Sequence, residues 1–390
     1  MPLVDEIVNA HADLTAWRQE LHSFPETAFE EHRTSAYVAA KLESFGIPLQ
    51  RGLAGTGIVA TLQGRQPGPA IGLRADMDAL DILEATDLPY RSTIPGKMHA
   101  CGHDGHMTML LGAAQHLART RDFAGTVHFI FQPAEEMAGG GKVMVEQGLF
   151  ERFPMQQVYG LHNWPGQAFG TFAARPGPML AASDVFELTI KGSAAHGAMP
   201  HLGIDPIVVA AELVSALQTI TSRNLDPLDA AVVSVTQIHG GDAWNIIPPE
   251  VVLRGTVRTS LPAVRALVEA RIRAVTAGIC AAHGATGTVW YDYRYPTTVN
   301  TVAEVALAQA AAGAAVGSAK VITDPQPSMA SEDFAYMLEV KPGAYLWLGS
   351  GPGPSLHNPD YDFNDALLPV GASYWVRLTE RLLAAPAVAS

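Results

Sequence analysis

Four short apolar runs, far apart in the chain, each lead into acids or a histidine. Ala70-Ile-Gly-Leu-Arg74 runs into Ala75-Asp-Met-Asp78, and Thr126-Val-His-Phe-Ile-Phe131 into Gln132-Pro-Ala-Glu-Glu136. Val158-Tyr-Gly-Leu161 runs into His162-Asn-Trp-Pro165, and Ala344-Tyr-Leu-Trp-Leu348 leads through a Gly/Pro loop to His357. Runs of this length bounded by Gly and Pro read as strands, and their continuous apolar character places them inside a sheet covered on both faces. Helical spacing appears before them, over residues 3 to 22 and 30 to 45, and between them from Met107 to Leu117. Strands alternating with helices predict an α/β layer structure with a largely parallel sheet. In such sheets ligands sit beyond the carboxyl ends of the strands. Asp76, Asp78, Glu135, Glu136, His162 and His357 all fall there.

The densest cluster of metal-binding side chains is Met98-His-Ala-Cys-Gly-His-Asp-Gly-His106. On an extended segment His99, Cys101 and His103 would point the same way, because side chains repeat with period two. The apolar run that follows places this loop at a helix N-terminus, where backbone N–H groups favour a thiolate. A lone cysteine is most often a small buried hydrophobe. The cluster nevertheless reads as part of a metal site, short of the ligands that such a site needs.

With 390 residues the chain is long for a single core, which predicts two domains. Residues 184 to 295 follow the order strand, helix, strand, strand, helix, strand, the ferredoxin-like split unit. The expected division is therefore a catalytic domain of residues 1–183 and 296–390 with an inserted α+β domain at 184–295. A net charge of -13 argues against nucleic acid and anionic membranes as partners and favours a small molecule. The first residues, Met1-Pro-Leu-Val-Asp-Glu6, carry acids where a secretory signal carries lysines, and the two cysteines lack pairing spacings. The expected location is the cytoplasm, with reduced thiols and no membrane span.

Competing motifs fail on context. Gly55-Thr-Gly57 opens a strand rather than a helix, so it is no dinucleotide fingerprint. Gly139-Gly-Gly-Lys142 lacks the Ser or Thr and the first Gly of a P-loop. The sequence contains no G-x-S-x-G elbow and no H-E-x-x-H helix.

Several segments, in order, resemble the aminoacylase/carboxypeptidase-type metallohydrolases. The nearest branch is that of hippurate hydrolases, N-acyl-amino-acid amidohydrolases and indole-acetyl-amino-acid hydrolases. The carriers include Leu21-His-Ser-Phe-Pro-Glu26, Arg74 to Leu80, Met98 to His106, Phe131 to Glu136, Gly160 to Pro165, Gly192 to Pro200, Asn245-Ile-Ile-Pro248, Ser331 to Phe334 and Leu356 to Tyr361. The resemblance implies a two-metal exopeptidase-like catalytic domain that cleaves the amide of N-acyl amino acids. Two divalent ions would be held by Cys101, His103, Glu136, His162 and His357, with Glu135 as general base. It also implies a homodimer in which His196 reaches the partner's site to stabilise the oxyanion, with Asn245 nearby and Arg258 on the substrate carboxylate. Thiolate and imidazole suit zinc, cobalt or nickel, and manganese stays open.

Some residues carry two readings at this point. Asp78 either orients a ligand histidine or caps the turn after it, and Asp76 leans to a structural role. Taken alone, Glu135 and Glu136 would pass for solvated acids, a reading that their place after an apolar strand and beside the other ligands disfavours. Without the resemblance His196 reads as a loop histidine, and Arg258 equally as a surface charge. The rival activities are a dipeptidase or carboxypeptidase and an N-acetyl-diaminopimelate deacetylase. A non-catalytic metal-binding relative is the rival from outside the enzymes.

Overall fold

The computed structural model describes Leu3 to Glu136 and Ala138 to Ala384. It divides into two compact units, one of residues 1–179, 299–326 and 333–390, the other of 180–298 and 327–332.

The first unit is built on an eight-stranded sheet. Its order is Leu49–Leu53, Gly57–Gln63, Ala124–Gln132, Gln66–Asp76, Gln157–Pro165, Gly343–Gly351, Phe172–Ala173 and Val321–Ile322. The four strands from Ala124–Gln132 to Gly343–Gly351 are mutually parallel, and antiparallel pairs flank them. The apolar runs of the sequence are these strands, and their interiors are buried as continuous apolar runs require, for example Leu73, Phe129, Leu161 and Leu346. Register brings Asp76 opposite Gln132 and His162 opposite Trp347, so the chemistry-bearing ends lie along one edge of the sheet. The observed strand Gln157–Pro165 is longer than the apolar run, so His162 stands on the strand rather than after it.

Helices cover both the sheet and its connections. The first helical stretch is broken at Ala10 into Asp5–Asn9 and His11–Ser23. His11–Ser23 carries Arg18, whose guanidinium is fully buried among carboxylates. Its Nε and Nη2 donate to Asp365 at 2.7 and 2.9 Å, Nη1 donates to Asp362 at 3.0 Å, and Asp104 lies 3.6 Å away. This arginine joins three segments: its own helix, the start of the helix His103–Thr120 and the chain that follows His357. A buried guanidinium needs that many acceptors, because an unpaired charge out of water is costly.

His22, one turn along, lies 2.8 Å from Asp104 and 3.4 Å from Glu84. Burial disfavours its imidazolium, but the hydrogen bonds to Asp104 and Glu84 outweigh this and push it up to about 9. The folded value lies above the ordinary one. The stabilisation is therefore complete below about pH 6.5 and is lost as pH rises through about 9. We expect the stability difference between the protein and His22→Gln, at most about 3 kcal/mol, to shrink between pH 6 and pH 10. Urea midpoints at the two pH values measure it, and a difference that is constant or grows would exclude the assignment.

The second unit has a four-stranded antiparallel sheet in the order Ala231–His239, Glu250–Thr259, Ala182–Lys191, Thr286–Tyr295. The helices Pro206–Thr219 and Pro262–Ala282 pack on it through Leu213, Leu217, Val268 and Ile272. Strand order and connections are those of the ferredoxin-like split unit. One edge strand, Ala231–His239, has an open side with Ile238 exposed.

Candidate metal centre

The loop after Met98 does not stay extended. Gly102 turns through φ 90°, a left-handed conformation open to glycine, and the helix starts at His103. A Cβ on Gly102 would stand 2.4 Å from Asn163 Oδ1, so a side chain is excluded there on two grounds. The period-two expectation holds for Cys101 and His103, which come together, and not for His99. Among the described residues His99 joins none of the donor groups, its ring centroid lying 6.3 Å from that of His22, while Cys101 and His103 converge across the turn.

Among the described residues, four groups of donor atoms form around these two, one of them Asp76, His103 and His106. Cys101, His103 and His162 offer atoms within 4.8 Å of one another, as do Cys101, Glu136 and His357, and His103, Glu135 and Glu136. Cys101 belongs to two of the groups. Its Sγ is 3.4 Å from His162 Nε2, and Glu136 Oε1 is 3.1 Å from His357 Nε2. All five donors named in the sequence thus gather beside Glu135. His357 is half exposed and takes a left-handed φ of 63°, whereas Cys101, His103 and His162 are buried.

The orientation of the imidazoles follows from the backbone. His103 Nδ1 donates to the Asp78 carbonyl at 2.8 Å and His162 Nδ1 to the Asn163 carbonyl at 2.6 Å. A carbonyl only accepts, so the proton sits on Nδ1 in both rings and each Nε2 keeps its lone pair for the centre. Among the described residues, His103 Nε2 is buried with no hydrogen-bond partner, Asp76 Oδ2 lying 3.8 Å away, and so is Glu136 Oε1, whose approach to His357 is not aligned for a hydrogen bond. Buried atoms of this kind call for an ion.

The charge balance makes the same demand. Burial pushes the Cys101 thiol well up, and the carboxylates of Glu136, Glu135 and Asp76 push it further. Without a cation the helix N-terminus does not produce the thiolate that the sequence position suggests. Burial opposes the His103 imidazolium, but Asp76, Asp78 and Glu136 outweigh it and hold it up to about 10. A divalent cation would take the place of these protons. The residues present fit metal ions.

Asp78 sits behind both glutamates. Its Oδ1 accepts the Glu135 N–H at 3.0 Å and its Oδ2 the Glu136 N–H at 2.8 Å, while its carbonyl holds His103. It reaches His103 through its carbonyl and, at 3.4 Å, through Oδ1, and it holds the turn through both carboxylate oxygens. Asp76 accepts from Arg74 Nη1 at 2.8 Å and lies 2.6 Å from His106 Nδ1. His106 in turn is 2.6 Å from Asn163 Oδ1. Arg74, Gln132 and Asp333 complete this buried network, with Arg74 Nε on Gln132 at 2.9 Å and Gln132 Nε2 on Asp333 at 2.6 Å. Arg74 and Asp333 lie within quoted motifs, but sequence reading gave neither a role. For Arg74 the available signal was a charged residue inside an apolar strand; Asp333, outside any strand, offered none.

In the second unit His196 and Asn245 come together. Ala195–His196 pairs with Ile246–Ile247, and the Gly197 N–H donates to the Asn245 carbonyl at 2.7 Å. His196 Nδ1 accepts the Ala198 N–H at 3.1 Å, so the ring proton is on Nε2, which makes the outward atom a donor. Both side chains are exposed. Arg258 donates to Ser331 Oγ at 3.0 Å from the strand Glu250–Thr259.

A buried thiol, oriented imidazoles and paired carboxylates at the carboxyl ends of a largely parallel sheet define the class as a metal-dependent amidohydrolase. The sequence profile of peptidase family M20/M25/M40 matches residues 72–381, and the chain belongs to that family. It is 40% identical over 383 residues to the hippurate hydrolase of Campylobacter jejuni, covering 98% of this chain and 100% of that one. It is 43% identical over 361 residues to the N-acetyl-L-cysteine deacetylase of Bacillus subtilis, covering 92% and 85%. Among solved structures, a dinuclear metal-binding peptidase of the M20 family from Bacillus subtilis superposes with a TM-score of 0.84 at 35% identity, over 96% of this chain and 98% of the other.

Proposed function

We propose that the protein hydrolyses the amide of N-acyl-L-amino acids to a carboxylic acid and a free amino acid. In this reading two divalent ions are held by Cys101, His103, Glu136, His162 and His357. The observation that carries it is the convergence of these five donors beside a sixth group, Glu135, with two imidazole tautomers fixed to present Nε2. Hippurate and N-acetylcysteine, named in the relatives, are both N-acyl amino acids.

Bound ions would supply Lewis acidity that activates water near neutral pH. Glu135 takes a proton from the attacking water and gives it to the leaving nitrogen, the step that neither a ligand carboxylate nor bulk solvent performs as well. Asp78 holds the backbone of Glu135 and Glu136 so that adjacent acids keep separate tasks. His196 Nε2–H is the donor for the oxyanion, Asn245 supports its loop and Arg258 receives the substrate carboxylate.

The protein acts as a homodimer through its second unit, in the cytoplasm. Trp244 is fully exposed, Ile207, Val208 and Ile238 are more than 45% exposed, and the edge of Ala231–His239 is open, the kind of surface that a partner covers. Among the described residues no helix is long and apolar enough to cross a membrane.

Elemental analysis of the purified protein, with a panel of hippurate, acetyl-amino acids, dipeptides and N-acetyl-diaminopimelate, tests the reading and identifies the ions. Turnover confined to dipeptides would replace it with a peptidase. His196→Ala is expected to lower kcat by about 10²- to 10³-fold, as loss of one oxyanion donor does. If His196 serves the partner's site, mixing inactive His196→Ala with inactive Glu135→Gln dimers restores activity as heterodimers form. An active monomer on gel filtration, or no restoration after exchange of subunits, would exclude the shared site.

A further inference from the structure

Glu31 is fully buried, lies outside the metal centre, and has been given no part in the chemistry. Its Oε1 accepts two backbone N–H groups, Phe29 at 3.0 Å and Ala134 at 2.9 Å, and its Oε2 accepts the hydroxyl of Thr56 at 2.6 Å. Both backbone partners are in the left-handed region, Phe29 at φ 63° and Ala134 at φ 55°. A side chain bearing a Cβ adopts that region only at a cost, and something must hold it there. Ala134 is the residue immediately before Glu135.

Two carboxylates therefore pin three successive N–H groups. Glu31 takes Ala134, and Asp78 takes Glu135 and Glu136. The Ala134 carbonyl accepts the Gly140 N–H at 2.9 Å, but without Glu31 the Ala134 N–H at this left-handed step would lose its acceptor. Resting on the proposed role of Glu135, we infer that Glu31 is a positioning residue for that base, acting by locking the Ala134 turn. It touches neither ions nor substrate. Its effect reaches the chemistry through one backbone torsion.

The test has an arm that does not depend on turnover. In metal-free protein, hydrogen exchange over residues 131–140 is expected to be at least about tenfold faster in Glu31→Ala than in the unaltered chain, because an amide bonded to a buried acceptor opens rarely. In metal-loaded protein, Glu31→Ala is expected to lose roughly 10- to 100-fold in kcat with KM within about threefold, the signature of a misplaced reacting group. Glu31→Gln keeps a carbonyl acceptor for both N–H groups and is expected to return kcat to within about threefold. In a Glu135→Gln background, Glu31→Ala is expected to cost nothing further, since residues that act as a unit are non-additive. Should the alanine variant fail to fold, Glu31→Asp keeps the charge but withdraws the acceptor by one methylene, and the same readings apply. Unchanged exchange, or a full additional loss in the Glu135→Gln background, overturns the inference. If Glu135→Gln itself stays active, the general-base assignment falls, and the exchange measurement still decides whether Glu31 holds the turn.

Discussion

Glu135→Gln is expected to lower kcat by about 10²- to 10⁴-fold while the metal content of the protein is unchanged. Glutamine has the shape of the acid, and the backbone N–H of residue 135 keeps its bond to Asp78, so the turn survives. What is lost is the capacity to accept a proton. Glu136 cannot take over, because its carboxylate lies among the donors, 3.1 Å from His357 Nε2. Steady-state turnover of hippurate with elemental analysis of the same preparation measures the effect. Retained activity would remove Glu135 from the chemistry. A parallel loss of metal would make it a ligand instead.

Cys101→Ala is expected to weaken metal binding by more than about 10²-fold. Loss of a group that merely orients a ligand already costs 10- to 100-fold, and here a donor itself is removed. The position is special because Sγ belongs to both the group with His103 and His162 and the group with Glu136 and His357, so occupancy of both positions should fall. The metal-free chain also holds protons that a cation must expel, one on the thiol and one on His103, which stays protonated up to about 10. Affinity should therefore rise with pH across the neutral range, and more steeply in the unaltered protein than in the variant. Competitive titration against a chelator at pH 6, 7 and 8 reads both. A pH-independent affinity, or a variant that binds two ions as the original does, would contradict the assignment.

Much of this arrangement was legible before any coordinates. The apolar runs ending in acids or histidines became the central parallel strands because continuous burial on both faces leaves no other use for such runs. The order of elements in residues 184 to 295 likewise fixes a split unit. The reach of individual side chains was not legible. The sequence leaves Asp78 between a histidine and a turn, and only the fold shows one residue serving both. The spacing of His99, Cys101 and His103 announces the convergence of the last two, but not that a glycine torsion at Gly102 and a helix starting at His103 replace the extended segment. Arg18 and Glu31 stayed hidden because their partners lie 344 and 103 positions away, a separation that periodicity does not encode.

The strand Gly343–Gly351 lies inside the sheet, against Gln157–Pro165, although the whole second unit is made before it. At 5–20 residues per second a ribosome needs roughly ten to forty seconds between completing one and the other. Throughout that interval the hydrogen-bonding groups along the strand that bears His162 have no neighbour on one side, the condition under which nascent chains stick to one another. Yield during synthesis should therefore depend on what shields that seam until the last eighth of the polypeptide arrives.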